Sequence, residues 1–169
     1  MIRGWQSKNI AAAAIVMILF FLVGTIASMV LSRQLLASYR IEGIELETQK
    51  AQLLESWIVL SDTDDVLICK KGKTSVVICL ENGRIRQIEG KQITLGNKTL
   101  SEGAPLSAVH SFFDGARPLS VELQEGVPGR DHPYEVYSIK DHWGKRVLSV
   151  EVQYKRDKAW NFLLFESRR

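Results

Sequence analysis

Between Ile10 and Leu31 the chain carries no charge and no proline, and only Gly24, Thr25 and Ser28 interrupt its apolar character. A helix rises about 1.5 Å per residue, so one drawn over this stretch reaches about 33 Å. That is enough to cross a hydrocarbon core of about 30 Å. A soluble protein could hold a helix this apolar only by covering every face of it. A secretory signal peptide has a shorter apolar core, of about 7–15 residues, ending at a small-x-small cleavage site. Ser32-Arg33-Gln34-Leu35 does not look like such a site, and Ala27-Ser28-Met29 is a poor one inside the span. The stretch reads as an uncleaved anchor over 10–31, with 1–9 as a short tail or leader and most of the chain as a polar head.

Orientation follows from the flanks. The tail carries Arg3 and Lys8 with no acid, whereas Arg33 and Arg40 on the far side are soon followed by Glu42, Glu45 and Glu47. Basic residues on short flanks stay cytoplasmic. The expected arrangement is a single pass through the cell (inner) membrane with the C-terminal head outside. A formal charge of +3, with bases and acids mixed along the chain, gives no aromatic-interleaved basic stripe of the kind that holds nucleic acid, so no nucleic-acid partner is expected.

Beyond the span the helical pattern continues. Residues 32–60 contain no proline and one glycine, Gly43, and Leu46, Leu53, Leu54, Trp57 and Ile58 recur at helical spacing among polar residues. This predicts an amphipathic helix over 32–60 with one stripe to bury, and hence one long rod from Ile10 to Leu60 with a weak point at Gly43. After the turn formers Ser61–Asp65 the apolar runs become short and β-branched. Strands are predicted at Val66–Cys69, Thr74–Leu80, Arg84–Ile88, Gln92–Leu95, Leu119–Leu123, Tyr134–Ile139, Arg146–Tyr154 and Trp160–Phe165. Asn82-Gly83 between apolar runs is a strong hairpin signal. Gly96–Pro105 reads as irregular, Ser107–Phe113 as either a helical turn or a strand, and Glu125–Pro133 as a loop. The fold class is α+β: a long N-terminal helix, transmembrane then amphipathic, packed on an antiparallel sheet domain spanning 61–169.

Few residues suggest chemistry. His110, His132 and His142 do not stand at metal-ligand spacing, and the sequence has no G-x-S-x-G elbow, no H-E-x-x-H and no phosphate-binding glycine loop. The expectation is a protein without catalytic, metal or cofactor sites. Cys69 and Cys79 lie in neighbouring strand candidates. They read either as two buried free thiols or, if register lets them share a face in an oxidising compartment, as a disulfide. Asn97-Lys98-Thr99 fits a glycosylation sequon, which matters only in a eukaryotic secretory lumen.

The plan resembles a type IV filament subunit, a minor pilin or a pseudopilin of the competence or type II secretion class. The resemblance is carried by Leu22-Val23-Gly24-Thr25-Ile26-Ala27 running on to Leu31-Ser32-Arg33-Gln34, and by the stretch from Val66-Leu67-Ile68-Cys69 through Gly83–Lys91. It implies a cut between Gly4 and Trp5. The leader lacks a standard prepilin motif, because Asn9 occupies the position where such subunits typically carry glutamate. It also implies assembly, with the helix exchanging lipid contacts for helix contacts and the head binding other pilin-like or envelope-complex subunits. Ala11–Ala14 and Gly24 with Ser28, at small-xxx-small spacing, would admit a close neighbour, and Leu46, Leu53 and Trp57 would pack the second half of the rod. The alternative is a bitopic scaffold or binding ectodomain of a secretion or division complex, neither processed nor assembled into a filament.

Overall fold

The computed structural model describes residues 3–114, 121–125, 133–140 and 146–166, with all side chains among them except those of 3–12, 31–37 and 121–125. The chain divides into two compact units, Met1–Gln34 and Leu35–Arg169. The first is built on α1 (Arg3–Ser38). Its stretch Ala13–Val30 has a mean hydropathy of 2.6 and is 0% buried within the protein.

The second unit is a β-rich head. After β1 (Tyr39–Ile41) and the short α2 (Lys50–Ser56), the chain forms β2 (Ile58–Asp62), β3 (Val66–Lys71), β4 (Thr74–Glu81), β5 (Arg84–Gly90), β6 (Gln92–Leu95) and β7 (Lys98–Ser101). It continues through α3 (Leu106–Asp114), β8 (Val121–Glu125), β9 (Tyr134–Lys140), β10 (Arg146–Lys155) and β11 (Lys158–Glu166). Among the described residues eight strands make one sheet in the order β2-β3-β4-β5-β11-β10-β9-β8, and β1-β6-β7 make a second. Every pairing is antiparallel. The large sheet is two meanders joined at their last strands, β5 against β11; the excursion through β6, β7 and α3 leaves from β5 at its centre and re-enters at β8, the edge opposite β2.

Register explains where the core sits. Leu67, Ile78, Ile88, Leu164, Val150 and Tyr137 are successive cross-strand partners, and all six are buried. Side chains alternate along a strand, so this row defines one face of the sheet as the core face. Helix α3 covers part of it: the Phe113 ring stacks on Tyr137 at 3.8 Å between centroids, while Val109 and Phe112 are buried as well. β1 reaches the same core, with Ile41 close enough to Gly90 that a Cβ there would meet Ile41 Cγ2 at 2.6 Å. The next row on the opposite face, Ile68, Val77, Glu89, Leu163, Glu151 and Val136, mixes apolar and charged residues.

The α+β class, an N-terminal apolar helix followed by a large antiparallel sheet, is as expected. The amphipathic helix over 32–60 is not. Helix α1 stops at Ser38 because Tyr39 and Ile41, both buried, pair with Leu95 and Ile93 of β6. Glu42 and Gly43 then take positive φ, 51° and 81°, and the chain folds back so that Ile41 and Ile44 exchange backbone hydrogen bonds of 3.0 and 2.8 Å. Left-handed residues cannot continue a right-handed helix. Only Lys50–Ser56 resumes it, capped by a reciprocal Gln49–Gln52 arrangement. Leu46, Leu53 and Trp57 are buried, but from a turn, a helix and a helix cap, while Leu54 and Ile58 of the same supposed stripe are exposed.

The eight predicted strands are present with ends shifted by a few residues. Asn82 and Gly83 turn with φ of 53° and 73°, as the hairpin signal requires. The region read as irregular contains β7, and the ambiguous segment is the helix α3. His132, His142 and most of the expected loop Glu125–Pro133 lie outside the described residues.

Candidate functional site

The first candidate is the exposed apolar stretch Ala13–Val30 of α1. Its backbone groups bond within the helix, the condition that hydrocarbon imposes. Thr25 obeys it too, since its hydroxyl donates to the Leu22 carbonyl at 2.8 Å. Gly24 and Ser28, four residues apart, share one helix face. Nothing lies within 4 Å of where a Gly24 Cβ would be, so the surface there is open to a close neighbour. Gly4 and Trp5 fall in the first turns of α1, and their side chains lie outside the described part. Leu46, Leu53 and Trp57 belong to the core of the head.

The two cysteines are free thiols, and the disulfide reading is corrected by register. Cys69 pairs with Val76, and Cys79 with Val66. Positions three apart on paired strands point to opposite faces: Cys69 enters the core and Cys79 faces the other way. Burial raises the pKa of both thiols, which keeps them protonated and poorly reactive.

One polar cluster lies on the core side, where α3 meets β9 and β10. The Glu135 carboxylate accepts hydrogen bonds from the hydroxyls of Tyr137 at 2.6 Å and Tyr154 at 2.5 Å, and lies 3.1 Å from His110 Nε2. Burial pushes the Glu135 pKa up, but the hydrogen bonds from both tyrosines and His110 outweigh it and leave the group below its ordinary value. Tyr137 and Tyr154 are raised well above the ordinary phenol value, by burial first and then by donating to the carboxylate. With three donors on one carboxylate, the cluster ties helix to sheet. Sequence reading gave His110 no metal-ligand role and left Glu135 unmarked. The available signal was the i, i+2 pair Glu135 and Tyr137, which an alternating strand puts on one face.

A second feature is an open groove of about 1150 Å³ lined by Asp65, Cys79, Arg84, Arg86, Arg146 and Glu166, among others. Arg86 is held there between Glu81, at 2.8 Å, and Glu166, so its charge is balanced by carboxylates. Among the described residues no three His, Cys, Asp or Glu side chains gather as metal ligands.

The helix is thus long and apolar enough to span a bilayer, and the unit after it carries its own core. No protein-family model, curated protein or solved structure matches the chain.

Proposed function

We propose that this chain is a membrane-anchored, non-catalytic assembly subunit of a bacterial envelope machine, of the minor-pilin or pseudopilin kind. The helix lies in the inner membrane with the head on the extracytoplasmic side. The observation that carries the reading is Ala13–Val30, an apolar span 0% buried within the protein, ahead of a unit that buries a core of its own. An anchor that needs nothing from its own head can trade lipid for neighbouring helices at small-residue positions, and Gly24 and Ser28 supply them. The head then contributes partner surfaces rather than chemistry.

Intact mass of the protein taken from native membranes tests this reading. A mass lacking Met1–Gly4, with the protein recovered in sheared filaments, is the expected result. A full-length chain that stays in membranes would instead favour an unprocessed bitopic scaffold, the reading suggested by Asn9 at the position where glutamate is usual. Protease added to intact spheroplasts should degrade the head and spare the tail; the reverse pattern would overturn the orientation.

A further inference from the structure

The free edge of the large sheet at β2 is unusually apolar. Among the described residues β2 pairs only with β3, and Ile58 and Leu60 are 67% and 58% exposed, beside exposed Val59 and Leu54. Natural edges are normally blunted by charge, proline or a bulge. β2 does carry a bulge: Val59 pairs with Cys69 and Ser61 with Ile68, leaving Leu60 between them unpaired. That bulge displays a leucine, not a charge.

The two ends of this edge carry opposite charge. Ile58 pairs with Lys70, and Lys71 and Lys73 follow at the β3–β4 turn, all three exposed. At the other end Asp62 leads into Asp64 and Asp65, also exposed. Lys50 holds Asp62 at 2.7 Å and Lys71 lies over the Trp57 ring. Lys70 and Lys73 then outnumber Glu55 at one end, and Asp64 and Asp65, the latter also lining the groove that holds Arg84 and Arg146, set the charge of the other. A strand that is basic at its start, apolar in the middle and acidic at its end is complementary to itself when turned around.

We infer that β2 is a self-association edge, pairing antiparallel with β2 of a second copy of this chain across a two-fold axis. The apolar centre meets its own image, and the lysine end of each copy lies beside the aspartate end of the other. Such an isologous contact is self-complementary and closes at two copies. It extends the sheet by main-chain hydrogen bonds, with side chains setting register. The inference goes beyond the membrane reading and does not rest on it.

Sedimentation equilibrium of the full-length chain in detergent tests it, using two charge-reversed variants, Lys70→Glu with Lys73→Glu, and Asp64→Lys with Asp65→Lys. The wild type should dimerise, and each variant alone should dimerise at least about tenfold more weakly, because like charges then meet at both ends. An equal mixture of the two should restore dimerisation to about the wild-type level, since every facing pair is again opposite. That rescue also shows that both variants are folded. Three results would overturn the proposal: a wild type monomeric throughout, a dimer indifferent to both reversals (as pairing through α1 would give), or a mixture that stays weak, as a head-to-tail contact between β2 and the opposite edge β8 would give.

Discussion

Single residues set the close approaches of the head. Gly90 ends β5 where the chain turns into β6, and an added Cβ would meet Ile41 Cγ2 at 2.6 Å and Glu42 Cγ at 2.9 Å. Ile41 is fully buried and Glu42 is held by its carboxylate accepting from the Lys91 amide at 2.9 Å, so neither gives way easily. Gly90→Ala should therefore cost about 1–3 kcal/mol by overpacking, read as a lowered denaturation midpoint with an unchanged slope. The opposite case is the β10–β11 turn, where Arg156 and Asp157 both take positive φ, 54° and 59°. An L residue is strained there and glycine is not. Asp157→Gly should stabilise the head by about 0.5–1 kcal/mol; a loss of stability in the same denaturation assay would show that the aspartate side chain contributes more than the backbone strain it brings.

Among the elements, α3 is tied down by residues well along the chain. It is joined to β9 and β10 through Glu135 and through Phe113 on Tyr137. Replacing the carboxylate by an amide, Glu135→Gln, leaves one fewer acceptor oxygen for three donors and should cost about 1–3 kcal/mol at neutral pH. The pH dependence has a definite sign. Glu135 titrates lower in the folded protein than its ordinary value of 4.5. Its contribution is therefore complete above that value and disappears as pH falls through the lowered one. The gap between wild type and Glu135→Gln should narrow on acidification. Tyr137 and Tyr154 are shifted upward from 10.0, so their contribution is complete below that value and is lost as pH rises, when the unfolded phenols ionise first. Tyr154→Phe should flatten part of the alkaline limb.

For the whole molecule the division at Leu35 has a consequence. The head holds its own core, beginning with Tyr39 and Ile41. A chain starting at Leu35 should then unfold cooperatively and stay soluble without detergent, while the intact chain partitions into detergent. Circular dichroism and gel filtration check both, and a fragment that aggregates would mean that α1 supplies cover the head cannot do without. Cutting after Ile41 instead should destabilise the head severely, because it removes β1 from the three-stranded sheet and opens the core beneath Gly90.

Length and composition were enough to find the span of α1, since crossing a bilayer requires only an unbroken apolar run of sufficient reach. Local backbone preference was enough for the Asn82-Gly83 hairpin, and alternation for strands such as β10, whose Leu148, Val150, Val152 and Tyr154 all enter the core. Those properties are written within a few adjacent residues. The end of α1 at Ser38 is different: Tyr39-Arg40-Ile41 suits a helix locally and becomes a strand because β6, some fifty residues later, offers buried partners. The same holds for α3, for the opposite facing of Cys69 and Cys79, and for the donors gathered on Glu135. Each depends on which distant residues share a face, and only the assembled sheet, by burying one face and pairing specific registers, decides that.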